Sequence, residues 1–491
     1  MKLPGRQTPT LLINPRTVPN SHQPGYLLRF DRNDRPMLRE ARNSRARRTD
    51  AKICLLHHVG GGNLGDDATL DAVAENIRRR WPHVDIVALS MNPDDTERRH
   101  GIKSYDLRRN RWAIGYRATG AGANFKARVR ALARKYWPAL RLLNAIGAAS
   151  RLPIDMLGEL SFWASSRHIL KSIDLLIISG GGQLTEKDGP WGFPYTIFKW
   201  VLLAKSAGVR CAFLNVGAGP LTRPLSKFFA RQALRTADYV SLRDTKSQTL
   251  VHEMGFTGES RVCPDNAYGL ELAPAKSGAG DGSCRSIVGL APMPYPDPAS
   301  DGCLTPENEA AYKTLIGKLA DFASWLASRS HVLALFGTDI GVDPLAIGDL
   351  QQALLTCHGI PSSPFDVSEP VTSVRDLLAK ISGMDYVVTC RFHGVIFAHL
   401  LNKPVLAIAH HPKVTELMEA LELSNYCVDI RNFDARLLAE RFTSMVDNAD
   451  EIKSRMAMKL TRNRQLLSYQ FDELFDVEGP NKSGLHIGTQ R

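Results

Sequence analysis

The chain has 491 residues, 44% of them hydrophobic and 23% charged, with a net charge of +12. These are ordinary values for a globular protein of two or three domains, and they exclude a largely disordered chain, a collagen-like repeat and a disulfide-dense miniprotein. No run of about 18 apolar residues predicts a membrane span, and the first twenty residues lack the apolar core and cleavage site of a secretory signal.

Residues 1–50 carry eleven Lys/Arg against four acids. Their Arg/Asn/Asp/Pro-rich stretches predict a flexible basic tail. From residue 51 short apolar strands alternate with helices. Strand Lys52–His57 runs into Gly60-Gly61-Gly62-Asn63-Leu64-Gly65, and helix Asp66–Trp81 opens with Asp66 and Asp67, where carboxylates suit the free amides of a first turn. Strand Asp85–Leu89 follows. Residues 98–151 then hold fourteen Lys/Arg against the single acid Asp106, within a long insertion over about 92–170. Its stretch 125–147 has apolar residues at spacings of three and four and predicts a basic amphipathic helix, kinked at Pro138. Three readings stand for it: peripheral contact with an anionic membrane surface, a helix packed on its own domain with a solvated basic face, or nucleic-acid binding, which no recognised motif accompanies. Without such a motif, no nucleic acid is expected as a partner.

Strand Asp174–Ser179 leads to Gly180-Gly181-Gly182. After a helix near 196–208 comes strand Cys211–Val216, ending in Gly217-Ala218-Gly219-Pro220. A helix over 225–237 precedes strand Tyr239–Leu242, which ends at Arg243-Asp244, and Val262-Cys263 leads into Pro264-Asp265-Asn266. Continuous apolar strands alternating with helices predict a parallel sheet covered on both faces. Residues 51–272 are thus a first Rossmann-like domain and the Gly/Ser/Ala-rich 273–285 a linker. The pattern restarts over 286–474, with strands at 286–290, 331–336, 385–389 and 404–408, and 475–491 form a second flexible tail. Two doubly wound halves predict a cleft with ligands at the carboxyl ends of the strands. Eight scattered cysteines without a CxxC pair read as buried free thiols of a reducing compartment, and no metal site is predicted.

Chemistry-bearing residues collect at those strand ends. The turns containing Gly61, Gly62 and Asn63, Gly181 and Gly182, and Gly217 are either tight turns or anion cradles; Asp66 and Asp67 beside the first would repel phosphate. Arg243 and Arg391 each follow a strand directly, a position that points into the crevice, and Arg suits a bidentate grip on phosphate or carboxylate. Arg243 has the alternative of pairing with Asp244 or another acid. His393 starts a helix, where the imidazolium is disfavoured; it reads either as a proton-transfer group or as structural. Lys413 is a further phosphate contact, His410 and His411 lie behind it, and Asp265 can orient a ligand hydroxyl or an arginine.

The segments GGGNLGDDATL, LLIISGGGQL, LNVGAGPL, SLRDTKSQTL, CPDNAYGL and RFHGVIFAHLLNKPVLAIAHHPKV, in that order over about residues 53–420, resemble the polysaccharide pyruvyl transferases. His411 departs from the family pattern, which has an aromatic residue before the final Pro-Lys. The resemblance implies a glycosyltransferase-B-like fold of two Rossmann-like halves. It also implies transfer of the pyruvate unit of phosphoenolpyruvate to two saccharide hydroxyls, giving a ketal and phosphate with no cofactor besides the donor. Carried over, Arg243, Arg391 and Lys413 bind the anionic donor and His393 is the acid/base. The acceptor is expected to be an exopolysaccharide or its lipid-linked precursor, and the enzyme to be cytoplasmic or peripheral at the inner membrane face. The competing reading is a nucleotide-sugar glycosyltransferase of similar fold.

Overall fold

The computed structural model describes residues 51–109, 156–186, 189–272, 285–296, 306–360 and 371–475, all within one unit, Pro36–Arg491. The basic helix expected over 125–147, most of the linker and both tails lie outside the described residues.

The apolar runs become two all-parallel sheets. The first holds seven strands: β1 (Lys52–Leu56), β2 (Asp85–Ser90), β3 (Lys103–Asp106), β4 (Leu175–Ser179), β5 (Arg210–Val216), β6 (Tyr239–Leu242) and β7 (Arg261–Val262), in the order β3-β2-β1-β4-β5-β6-β7. The second holds β8 (Ile287–Ala291), β9 (Val332–Leu335), β10 (Tyr386–Thr389), β11 (Val405–Ala409) and β12 (Cys427–Asp429), ordered β12-β11-β10-β8-β9. Both are doubly wound. The strand order reverses between β1 and β4 and between β8 and β10, and crevices open at such reversals.

The alternation of side chains along a strand serves two layers at once. In the first sheet Cys54, Leu56, Leu176, Ile178 and Phe213 face one core, covered by a helix over residues 156–170, α4 (Phe193–Ser206) and α5 (Pro224–Thr236). Ile53, Leu55, Leu175, Ile177 and Leu214 face the other, covered by α1 (Leu64–Arg80). Numbering the helices in chain order, α2 is Pro93–His100, α3 the helix at 156–170 and α6 Thr245–Glu253.

Helix α1 is buried on two sides. Leu70, Val73 and Ile77 pack on the first sheet, whereas Leu64, Ala68 and Ala72 join the core of the second half, which explains its weak amphipathicity. In the second half α7 (Pro306–Ser328), α8 (Asp343–His358), α9 (Val374–Ser382), α10 (Phe392–Leu400), α11 (Pro412–Ala420) and α12 (Ala435–Asp447) cover the sheet. The last helix, α13 (Ala449–Phe475), crosses back: Phe471, Leu474 and Phe475 enter the core between the first sheet and α1. Gln470 there exchanges amide hydrogen bonds with Asn215 at 2.9 Å and donates to Ser241 Oγ at 2.8 Å. The segment 286–474 is therefore not confined to the second half. The sequence pattern also shows no strand at β3 or β12. Both strands are short sheet edges with too few apolar residues to show a pattern.

Candidate active site

The carboxyl ends of the strands in both halves meet around the start of α1. Asn63 caps that helix, its Oδ1 accepting the Gly65 N–H at 3.0 Å. The same turn is laced to the second half: the Leu64 N–H donates to the Thr338 carbonyl at 2.8 Å and the Ile340 N–H to that of Gly62 at 2.9 Å. Gly62 has φ +82°, and a side chain there would crowd Ile340. The structure thus gives Gly62 and Asn63 a cap and a contact between the halves, and Gly61 lies beside Gly341 in the same contact.

Helix α10 delivers His393 to the opposite side of that turn. A Cβ on Gly65 would sit 1.9 Å from His393 Nδ1, so only glycine lets the ring lie against α1. His393 Nε2 lies 3.9 Å from Asp265 Oδ2, and Arg243 Nη1 lies 3.6 Å from that same oxygen. Asp265 Oδ1 is used locally, accepting the Ala267 N–H at 3.0 Å. Asp265 and His393 are buried, yet Asp265 Oδ2 and His393 Nε2 are among the buried atoms without a hydrogen-bond partner. Buried polar atoms are nearly always satisfied, so a facing pair that is not calls for an explanation.

The three predicted cations surround the pair. Arg243 Nε reaches Asp244 Oδ2 at 3.3 Å, so the pairing alternative holds as well, while its guanidinium lies 4.5 Å from the Phe392 ring centroid. Lys413 Nζ lies 5.5 Å from the same centroid. Phe392 is thus a platform for a cation from each half; the sequence hid it, because an aromatic on an apolar helix reads as core. Gly217 clears space for Arg243: a Cβ there would lie 2.7 Å from Nη2. Arg391 stands at the N-cap position of α10 without a side-chain cap, and donates through Nε to Asp343 Oδ1 at 3.0 Å and through Nη2 to the same oxygen. Asp343 Oδ2 in turn accepts the N–H groups of Thr338 at 2.9 Å and Asp339 at 3.0 Å. Asp343, fully buried, was missed; the Asp-Pro that opens α8 was the available signal.

Asp66 joins this centre and Asp67 does not. Asp66 is buried near Gly181, where a Cβ would lie 3.5 Å from Oδ1, and His58 Nδ1 lies 3.9 Å from Oδ2. Burial, then the Asp67 charge, pushes the Asp66 carboxyl up to about 8, against the pull of Lys413. Asp66 therefore holds a proton at neutral pH and does not repel an anion. Asp67 points the other way, pairing with Arg99 and, at 3.4 Å, with His100. Gly182 meets no neighbouring side chain, and the Gly181 carbonyl accepts the Gly217 N–H at 2.8 Å, so these turns brace each other.

Burial, aided by the charges of Lys413, Arg243 and Arg391 and opposed by Asp265, pulls His393 down to about 4. It is a neutral imidazole at pH 7. Burial and then Arg243 lower Lys413 to about 8. His410 holds the Cys390 carbonyl at 2.8 Å and burial lowers it to about 3; His411 caps α11. Next to them a cavity of about 270 Å³ is bordered by His410, His411, Thr415, Glu416, Asp429 and Lys246. The centre thus offers positive charge for an anion, a neutral base in His393 and a protonated acid in Asp66.

A family model described as polysaccharide pyruvyl transferase matches residues 63–412. No curated protein matches the sequence. Among solved structures, UDP-GlcNAc 2-epimerase from Neisseria meningitidis bound to UDP-GlcNAc aligns with a TM-score of 0.50 at 10% identity, covering 87% of this chain and 100% of that one. A Listeria monocytogenes structure assigned as a UDP-N-acetylglucosamine 2-epimerase gives 0.50 at 12%, covering 87% and 98%. Spinosyn rhamnosyltransferase SpnG complexed with thymidine diphosphate gives 0.42 at 12%, covering 84% and 96%. The likeness is one of fold, the two Rossmann-like halves of glycosyltransferase-B-like enzymes.

Proposed function

Because the chain belongs to the polysaccharide pyruvyl transferase family, we propose that it transfers the pyruvate unit of phosphoenolpyruvate to two hydroxyls of a saccharide, forming a cyclic ketal and releasing phosphate. The observation that carries this reading is the unsatisfied pair Asp265 Oδ2 and His393 Nε2, ringed by Arg243, Arg391 and Lys413. A small donor with a phosphate and a carboxylate needs more than one cationic grip, and cations from both halves supply it.

Neutral His393 takes the proton of the first attacking hydroxyl, and that oxygen adds to C2 of phosphoenolpyruvate. Protonated Asp66 delivers a proton to the C3 methylene, which becomes the methyl group. The second hydroxyl then gives its proton to the Asp66 carboxylate as its oxygen displaces phosphate from C2 and closes the ketal, and His393 returns its proton to the departing phosphate, restoring both side chains. The cations hold the leaving group as its charge grows, a positioning and electrostatic contribution. The chemistry needs no group beyond the donor and these side chains. The saccharide enters from the cavity beside His411, and a lipid-linked precursor at the inner membrane face is the acceptor this reading favours.

The test follows phosphate release from phosphoenolpyruvate with a panel of lipid-linked oligosaccharides. Phosphoenolpyruvate at one hundred times its Kd should add ~2.7 kcal/mol of stability. If UDP- or TDP-sugars protect the protein and phosphoenolpyruvate does not, the enzyme is instead a nucleotide-sugar glycosyltransferase.

A further inference from the structure

The outer face of the first half carries an apolar surface unrelated to the cleft. On α4 and the turn before it, Trp191, Tyr195, Phe198 and Leu202 follow at spacings of four, three and four, one stripe of a helix. Trp191 is 60% exposed and Leu202 41%. Helix α5 continues the surface with Leu225 and Phe228, 39% and 41% exposed, and Phe228 lies 6.3 Å from Phe198 between ring centroids. On the other flank α3 adds Leu157 and Leu160, 68% and 59% exposed, and its Glu159 meets Lys199 of α4 at 3.1 Å. Large side chains exposed together on three adjacent helices mark an interaction site rather than the scatter of a normal surface.

The rim is basic. Arg108 Nη2 donates to the Trp191 carbonyl at 2.8 Å. Arg223 lies beside Gly189, two residues before Trp191, and Lys227 follows one turn along α5. Among the described residues, the acids nearby are engaged: Glu186 accepts from the Thr222 and Arg223 N–H groups at 2.8 and 3.1 Å, and Glu159 from Lys199 and Tyr195. The chain between residues 109 and 156, which carries nine Lys/Arg against one acid, departs and returns at this face, since Arg109 Nε lies 3.9 Å from Glu159. Exposed aromatics within a cationic rim match an anionic bilayer surface, where aromatic rings sit at headgroup level and basic residues meet lipid phosphates. Among the described residues no helix is long and apolar enough to cross a membrane, so the contact is peripheral.

We propose that the face formed by α3, α4 and α5 is a docking surface for an anionic lipid bilayer. This holds whatever the substrate, because none of these residues borders the cationic centre.

Flotation of the full chain with vesicles of 30% phosphatidylglycerol in phosphatidylcholine tests it. The wild type should float with the anionic vesicles and not with pure phosphatidylcholine. The exposed-residue variant W191S/L225S/F228S should lose binding by on the order of a hundredfold, with its melting temperature unchanged. R223Q/K227Q should lose about fivefold per charge, an effect that shrinks in high salt. Absence of wild-type binding overturns the proposal. So does retention of binding by the apolar variant while neutralising Arg128, Arg130, Arg134 and Lys135 abolishes it, which would give the membrane contact to residues 110–155 instead. A change of oligomeric state in the apolar variant at unchanged vesicle binding would assign the face to a second copy of the chain, and also overturns it.

Discussion

Asp66 and Asp67 are neighbours on the first turn of α1 and end in opposite surroundings. Asp67 enters a closed network: Arg99 pairs with it, His100 Nε2 lies 3.4 Å away, and His100 Nδ1 meets Asp71 at 2.7 Å. Burial opposes charge on His100, but those two carboxylates outweigh it and raise the imidazole to about 9. Asp66 faces an open set, with an unpartnered oxygen on Asp265, an unpartnered nitrogen on His393 and three cations around them. Both sets are buried and titratable, so burial does not separate them. Satisfaction does. A network that closes on itself stabilises one conformation, while one that leaves buried atoms facing each other is shaped for something absent from the protein alone.

The largest effect should come from the open set. His393→Ala should lower kcat by roughly 10²–10⁴-fold, the range for losing a general acid or base, with little change in melting temperature. Gly65→Ala should act through the same ring, since its methyl would occupy the place of His393 Nδ1. A His393→Ala enzyme that keeps a tenth or more of its turnover would make the open set structural after all. The closed set should respond in the opposite way. Asp67→Asn leaves Arg99 and His100 buried with a weakened partner and should cost roughly 3–5 kcal/mol of stability, read by denaturant unfolding, while KM for phosphoenolpyruvate holds.

That contrast was only partly legible beforehand. Arg243, Arg391 and Lys413 could be found because each follows a run of apolar residues, and a parallel strand must release its next polar residue at the carboxyl edge. Asp66 and Asp67 could not be told apart, because the partners of Asp67 sit on α2, about thirty residues later in a segment read as the start of an insertion. Phe392 and Asp343 look like core and helix start, and only their distances to Arg243 and Arg391 reveal otherwise. In the fold, runs such as LLIIS announce themselves as strands. The return of α13 does not, because Gln470 meets Asn215 across 255 residues of chain.

pH sharpens the same comparison. Free-enzyme kcat/KM should rise with pH through about 4 as His393 loses its proton, and fall through about 8 as Asp66 and Lys413 lose theirs, giving a bell. Stability should decline in two windows. The folded-state pKa of Asp66 lies above the usual carboxylate value, so the folded protein holds that proton more tightly, and stability is lost as pH rises from about 4 to 8. His100 is also raised, so its contribution, roughly 3 kcal/mol, is complete below about 6.5 and lost as pH climbs through about 9. Asp66→Asn should erase only the first window, whereas Asp67→Asn should shrink the second and, by removing a charge that helps raise Asp66, narrow the first without abolishing it. Loss of both windows from either variant would mean that the two sets are one coupled system.

The smallest effect is expected at Asn63, where both sets begin. Its Oδ1 caps α1 and its backbone pairs with Asp339 across the halves. Asn63→Ala removes the side-chain cap and leaves the backbone pairing, so it should cost about 1 kcal/mol of stability. The first turn would stay helical because the Asp66 and Asp67 N–H groups still donate to the Asn63 carbonyl at 3.1 Å, which keeps Asp66 and Asp67 facing apart. Donor affinity should then change by less than tenfold. An Asn63→Ala enzyme with wild-type stability and a large rise in KM would place the amide on the substrate, and the boundary between the two sets would have to be drawn one residue earlier.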